Sequence, residues 1–223
     1  MDKKNLLTRC FSGVFIVILF ILSIFVLRPL FYVLFSFIAG FMLLEWRNMT
    51  KNSTPFYRYL GLILIPVPVI SILLISYTDQ TGWLLLTYFM IIWSVDVMAM
   101  LGGKLIGGPK LAPKLSPKKT ISGLITGVLS AIIVVNLLVL LPNYLEPSMF
   151  PRTGISTSIF ALIIGIIAQM SDLFISYFKR KFHLKDSGSI IPGHGGMLDR
   201  FDSIILTAPV VIIILLVVRT YFI

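Results

Sequence analysis

Long runs of apolar side chains restrict this chain to a fold that uses the lipid bilayer as part of its solvent. Apolar residues make up 57% of the 223 residues, and Asp, Glu, Lys and Arg together make up only 13%. Soluble domains are about 25% charged, so this chain has too little charge to cover a water-exposed surface. The high apolar content excludes disorder, and the single cysteine, Cys10, excludes a fold held by disulfides.

A helix of roughly 20 mainly apolar residues crosses the hydrocarbon core of a bilayer. Pro66 and Pro68 lie inside one such segment and predict a kink there. The expected fold is an all-α, polytopic integral membrane protein with about seven transmembrane helices. The segments lie at about residues 11–27, 30–44, 59–77, 82–101, 121–141, 155–174 and 203–222.

Lysine and arginine are distributed unevenly between the two sides of these spans. If the N-terminus is cytoplasmic, 16 of the 19 basic residues face the cytoplasm, and only Arg28, Arg152 and Arg219 face the opposite side. Basic residues concentrate on the cytoplasmic side of membrane proteins, so we predict a cytoplasmic N-terminus. A cleaved signal peptide is the alternative, but no small-residue cleavage site follows the first span.

Residues 102–120 form the first of two long basic connections on the predicted cytoplasmic side. Glycine lets a backbone approach an anion closely, and Ser116 or Thr120 could cap the fifth span, whose N-terminus would offer free N–H groups. These features predict a cradle for a polyphosphate. An equal alternative is that these lysines only set the orientation of the protein in the membrane and interact with anionic lipid headgroups. The connection has no acid and five lysines: Lys104, Lys110, Lys114, Lys118 and Lys119.

Asp96 lies within the fourth predicted span, about one turn before this connection. A carboxylate at membrane depth costs about 2.5–3.5 kcal/mol on insertion scales. We therefore expect Asp96 to face a polar cavity, with a shallow position near the interface as the alternative.

Acids cluster in the second long connection, where four of them meet five basic residues. Asp172 closes the sixth predicted span, and Asp199 and Asp202 open the seventh, three residues apart and so on one helical face. Carboxylates beside lysines at a membrane surface suit Mg²⁺ bound to phosphates. Favourable interaction of acids with a helix dipole is the alternative. His194 lies between glycines and is expected to contact phosphate or metal.

These residues resemble the signature of the phosphatidate cytidylyltransferase (CDP-diacylglycerol synthase) family. The resemblance extends from about Trp93 to Pro209 and includes Asp96 and the Lys-Leu-Ala-Pro and Ser-Pro-Lys-Lys-Thr runs of the first connection; farther upstream it is limited to the Glu45-Trp46 pair. The signature residues are Ser176, Lys179-Arg180, Lys185-Asp186, Pro192, His194-Gly195-Gly196 and Asp199-Arg200-Phe201-Asp202.

Three positions depart from the family pattern. Ser122 stands where the family usually has an acid or amide, and Ile175 stands where it often has Glu. Ser171 replaces the glycine that usually precedes the family's first aspartate, here Asp172. We assign no role to Ser122 or Ile175.

The resemblance implies that CTP and phosphatidate give CDP-diacylglycerol and pyrophosphate. It implies Mg²⁺ held by Asp172 and Asp199, with a monovalent cation as a candidate second occupant. Catalytic roles are expected for Asp172, Asp199, Asp202, Arg200 and Lys185. Substrate contacts are expected for Lys118, Lys119, Lys179, Arg180, His194, Gly195, Gly196 and Asp96.

We expect one membrane domain over residues 1–223, with an N-terminal helical region at 1–90 and a catalytic region at 91–223. The expected partners are CTP, phosphatidate and the lipid bilayer, without nucleic acid, and a homodimer is left open. The expected location is the bacterial inner membrane, with the site on the cytoplasmic side. Two alternatives remain: a transporter of an organic anion, and a related CTP-dependent enzyme acting on another lipid phosphate.

Overall fold

The computed structural model describes residues 18–141, 154–188 and 195–222. Residues 18–25 are helical, and two short strands interrupt the helices that follow. In chain order these elements are α1 (Arg28–Met49), α2 (Pro55–Leu64), α3 (Pro66–Thr78), α4 (Trp83–Leu105), β1 (Lys110–Ala112), β2 (Ser116–Thr120), α5 (Ile121–Val139), α6 (Gly154–Lys181) and α7 (Ile204–Phe222).

The helices confirm the expectation of a helical membrane protein. By length and apolar composition, five helical segments of the described chain can cross a membrane, with α2 and α3 counted as one, and Ile204–Thr220 is a shorter apolar helix. Large apolar side chains also cover the outer surface: Phe37 is 65% exposed and Leu62 is 60% exposed. Such a surface is compatible with lipid rather than water. The full set of seven spans stays a prediction, because the first segment is described only from residue 18.

The predicted kink is confirmed. Helix α2 ends at Leu64 and α3 begins at Pro66, so the span is broken at Ile65. Proline lacks the N–H that an uninterrupted helix needs, and its ring clashes with the carbonyl four residues earlier.

Both basic connections begin as continuations of the preceding helices. Helix α4 continues to Leu105 and α6 to Lys181, beyond the predicted ends of those spans. Between α4 and α5 the chain forms an antiparallel hairpin, in which Lys110 pairs with Thr120. The Thr120 Oγ1 atom accepts a hydrogen bond from the Gly123 N–H at 3.1 Å, which confirms Thr120 as the cap of α5.

Close packing of α5 on α4 fixes the helix that carries Asp96. A Cβ atom added at Gly123 would lie 2.5 Å from the carbonyl oxygen of Ala99, and one added at Gly127 would lie 2.9 Å from that of Val95. Contacts this short leave no space for a side chain, so the two helix backbones approach each other directly at these positions.

Replacing Gly123 with alanine should therefore destabilise the protein. We expect a loss of about 1–3 kcal/mol from overpacking, seen as a lower melting temperature of the purified protein in detergent. The matched control is Gly40→Ala in α1, because a Cβ atom at Gly40 meets nothing within 4 Å. Equal melting temperatures for the two variants would contradict the packing described here.

Candidate active site

Helix α6 presents three polar side chains on one face. Asp172, Ser176 and Lys179 are separated by four and three residues, which places them in successive turns. The Ser176 hydroxyl donates to Asp172 Oδ1 at 3.3 Å. Because α6 continues to Lys181, these residues share a rigid helical base rather than a loop.

Strand β2 brings Lys119 to Asp172. Successive side chains of a strand point to opposite faces; Lys118 is exposed, whereas Lys119 is half-buried. Lys119 Nζ forms an ion pair with Asp172 Oδ2. Within the described part of the chain, this buried nitrogen has no hydrogen-bond partner of acceptable geometry. An ammonium group has three donors, so Lys119 has unused capacity for further oxygen atoms.

Asp199 is held by three donors. Lys179 Nζ lies 2.7 Å from Asp199 Oδ1, and Asp199 Oδ2 accepts the N–H groups of Ser187 and Gly196 at 2.8 and 3.0 Å. Burial acts to raise the pKa of Asp199, but the hydrogen bonds and the positive charge of Lys179 outweigh it and lower this pKa. Asp199 is therefore held as a carboxylate.

The pKa of Asp202 is shifted in the opposite direction from that of Asp199. Its Oδ2 atom lies 4.0 Å from Lys179 Nζ, and its Oδ1 atom accepts the Ser203 N–H at 2.8 Å. Burial and the negative charge of Asp172 raise the pKa of Asp202 well above its usual range. The charge of Asp96 acts in the same direction, while Lys179 and Lys119 oppose it.

These contacts define the acid–lysine cluster, which consists of Asp96, Asp172, Asp199, Asp202, Lys119 and Lys179. It joins four parts of the chain: α4, β2, α6 and the turn before α7. Asp199 and Asp202 lie in that turn and not in the first helical turn that we predicted, because α7 begins at Ile204. Asp96 belongs to the cluster through the Ser203 hydroxyl, which donates to Asp96 Oδ1 at 3.5 Å.

The cluster suits a hard cation by its chemistry, since it supplies carboxylate oxygens whose mutual repulsion a cation would reduce. Its geometry is closed, however. Asp172 and Asp199, the predicted Mg²⁺ ligands, are each bonded to a lysine. No group of three or more His, Cys, Asp or Glu side chains in the described ranges is arranged to hold a metal ion. Binding Mg²⁺ at this pair therefore requires the lysines to move.

The other predicted site residues take different positions. Arg180 donates to the carbonyl oxygens of Leu115 at 3.2 Å and Leu184 at 2.9 Å, so it ties the hairpin to the end of α6. Lys185 and Arg200 are exposed. His194 lies outside the described residues.

Gly195 and Gly196 allow close contact between the backbone and carboxylates of the protein itself. Gly195 has φ +81°, and a Cβ atom there would lie 2.9 Å from Asp199 Oδ2. A Cβ atom at Gly196 would lie 2.5 Å from Glu45 Oε2. Contact of these glycines with substrate stays a prediction.

Glu45 is the residue that sequence reasoning missed. It is only 2% exposed, at the end of α1. Its carboxylate accepts hydrogen bonds from the Ser187 hydroxyl at 2.9 Å and from the N–H groups of Met197 and Leu198, both at 2.8 Å. Glu45 thus connects the end of α1 to Ser187 and to the two residues that precede Asp199. The sequence did indicate Glu45, because it is an acid at the end of a predicted span and belongs to the Glu45-Trp46 pair that resembles the family. We assigned it no role.

Two of the three departures from the family pattern have structural roles. The Ser171 hydroxyl donates to the carbonyl oxygen of Asp202 and accepts the Leu206 N–H, which fastens α6 to the start of α7. The Ser122 hydroxyl donates to the Gly107 carbonyl oxygen and closes the hairpin connection onto α5. Ile175 is 1% exposed and packs in an apolar cluster with Trp46.

Glu45→Gln should loosen the loop, because an amide nitrogen would replace one carboxylate oxygen and face donors. Leaving buried donors without an acceptor costs about 1–3 kcal/mol, so we expect a lower melting temperature and faster proteolysis between residues 185 and 200. Asp186→Asn, an exposed acid in the same loop, is the control. Unchanged proteolysis in Glu45→Gln would contradict this role.

Comparison with known proteins agrees with the resemblance found in the sequence. Residues 56–218 match the profile of the cytidylyltransferase family. Phosphatidate cytidylyltransferase of Rickettsia felis is 53% identical over 213 residues, which is 96% of this chain and 93% of the relative. The protein of the same name from Rickettsia prowazekii is 52% identical over 209 residues, 94% and 91% of the two chains. The chain therefore belongs to the cytidylyltransferase family.

Proposed function

We propose that this membrane protein transfers the cytidylyl group of CTP to phosphatidate, giving CDP-diacylglycerol and pyrophosphate. Membership of the cytidylyltransferase family and the names of the Rickettsia relatives support this activity. The observation that carries the assignment of the site is the acid–lysine cluster, in which two buried or half-buried lysines meet carboxylates at the ends of apolar helices.

The reaction joins two anions, so the site has to reduce their repulsion. An oxygen of the phosphatidate phosphate forms a bond to the α-phosphorus of CTP, the bond to the bridging oxygen breaks, and pyrophosphate leaves with the electron pair. A phosphate monoester has a second pKa of about 6, so the attacking phosphate is largely dianionic near neutral pH. Positioning and charge stabilisation therefore matter more than a strong base.

Lys119 and Lys179 can provide this stabilisation because each is already held beside the cluster by a carboxylate. We propose that they exchange carboxylate oxygens for phosphate oxygens when substrate binds. Lys118, Arg180, Lys185, Arg200 and His194 are proposed to contribute further contacts to phosphate, and Gly195 and Gly196 a close backbone approach.

Mg²⁺ would be held by Asp172 and Asp199, with Asp202 assisting, once the lysines have turned to the phosphates. Bound there, the ion would neutralise negative charge on the nucleotide phosphates. The backbone N–H groups of Ser187 and Gly196 support this role, because they act to lower the pKa of Asp199 independently of Lys179, and a metal ligand must be deprotonated. A monovalent cation remains a candidate for a second position.

We infer seven spans with a cytoplasmic N-terminus, and a site on the cytoplasmic side of the bacterial inner membrane, where CTP is available. The charge asymmetry supports this orientation. The hydrogen bond from Arg28 to the Gln80 side chain at 3.4 Å supports the alternation of the spans, because it places on one side two residues that the predicted topology also places on one side.

An anion transporter is not favoured, because the family transfers nucleotides and the polar cluster lies at one end of the helices. A related enzyme would activate another lipid phosphate with CTP. An assay that compares phosphatidate with other lipid phosphates as acceptors distinguishes the two functions.

The function predicts incorporation of radiolabelled CTP into chloroform-extractable lipid by the purified protein with phosphatidate and Mg²⁺. Lys119→Gln should reduce the rate by about 10²-fold or more, as removal of a group that stabilises transition-state charge does elsewhere. Lys110→Gln, an exposed lysine of the same hairpin, should stay within about twofold. No incorporation by the unmodified protein would refute the function, and an active Lys119→Gln variant would refute the site.

Removal of divalent cations should abolish the reaction, because the repulsion within the cluster and between the substrates would be uncompensated. We expect activity to be lost in excess chelator and restored by Mg²⁺. In Asp199→Asn, which keeps the size of the side chain but loses its charge, restoration should need far more Mg²⁺. Chelator-resistant activity would exclude a catalytic metal.

A further inference from the structure

An apolar groove lies between α1 and α2, away from the acid–lysine cluster. It has a volume of about 650 Å³, within the range of roughly 300–1,000 Å³ that is usual for ligand sites. Its walls include Phe37 and Leu44 from α1 and Leu62 from α2. These side chains are 65%, 53% and 60% exposed, so the groove opens towards the lipid.

Two glycines create the groove. Gly40 contributes no side chain to it, and a Cβ atom there would meet nothing within 4 Å. Gly61 allows the Trp46 ring to lie against the backbone of α2, because a Cβ atom at this position would be 2.1 Å from the ring. The result is an open slot with an aromatic wall rather than an interlocked helix pair.

Two arginines, Arg47 in the last turn of α1 and Arg58 in the first turn of α2, line the same groove. Arg58 donates to the carbonyl oxygen of Lys51 at 2.9 Å, which keeps its guanidinium in the connection between the helices. Neither arginine forms an ion pair with an acid in the parts of the chain that the structure describes. Both are exposed.

We propose that this groove binds one anionic phospholipid of the surrounding bilayer, with an acyl chain between α1 and α2 and its phosphate on Arg47 and Arg58. An apolar slot that ends in two cations matches a lipid that has an apolar chain and an anionic head. Arginine suits the phosphate because its planar donors bind two oxygens at once. A second copy of the chain is a poorer occupant, since a symmetric contact through this face would bring like charges together.

The groove and the candidate active site are connected through the end of α1. Trp46 forms part of its wall, and the preceding residue, Glu45, accepts the hydrogen bonds that hold the loop carrying Asp199. The bound lipid would therefore contact the last turns of α1 next to Glu45.

The test is native mass spectrometry of the full-length protein in detergent, titrated with dioleoylphosphatidylglycerol or with dioleoylphosphatidylcholine. Neither lipid is a phosphate monoester, so the outcome is independent of the proposed reaction. We expect at least one phosphatidylglycerol to bind about tenfold more tightly than phosphatidylcholine, because the choline ammonium offsets the charge of the phosphate and is repelled by the two arginines. Equal retention of the two lipids would overturn the proposal.

Variants test the two arginines and the apolar slot of the groove separately. The double variant Arg47→Gln/Arg58→Gln should lose the preference for phosphatidylglycerol, whereas Lys51→Gln, which removes one charge from the same connection, should keep it. Gly40→Leu should fill the slot and weaken binding with both arginines in place. An unchanged elution volume in size-exclusion chromatography serves as the check that each variant is folded. Undiminished binding in both Arg47→Gln/Arg58→Gln and Gly40→Leu, or a loss of dimer rather than of lipid, would refute the site.

Discussion

An ionised group next to hydrocarbon needs an opposite charge or hydrogen-bond donors from the protein itself. This requirement determines how the helices and loops are arranged at one end of the molecule. Asp172 is compensated by Lys119, and Asp199 by Lys179 together with two backbone N–H groups. Among the described residues Glu45 forms no ion pair, and it is compensated by three donors from the second basic connection. Because the partners come from different helices, compensating the charges also fixes the positions of α1, β2, α6 and the turn before α7.

The sequence was sufficient for features that depend on local patterns. Apolar runs predicted the helical segments, the prolines predicted the break at Ile65, and Thr120 was one of two predicted caps for α5. The hairpin was missed because its glycine and proline content favoured an irregular loop, whereas its strands are stabilised only by each other. The contact of Glu45 with Leu198 was also missed. The two residues are 153 positions apart in the sequence, and a local sequence pattern does not predict contacts at such a separation.

The lysines show how residue type and residue role can differ. Their pattern predicted phosphate contacts, and the structure has Lys119 and Lys179 on carboxylates. The carboxylate partner holds each ammonium group in position beside the cluster. The same groups can then serve an incoming anion. The pairing is thus compatible with the predicted role and explains why exposed Lys118 and half-buried Lys119 are not equivalent.

The position of Glu45 has a consequence for how the protein is made. Its partners Ser187, Met197 and Leu198 are synthesised more than 140 residues later, by which time α1 to α6 have been translated. Until then its carboxylate has to remain hydrated at the membrane surface, since burying it without donors is costly. The contacts that place Met197 and Leu198, next to Asp199, therefore form late, after α1 to α6 have been synthesised.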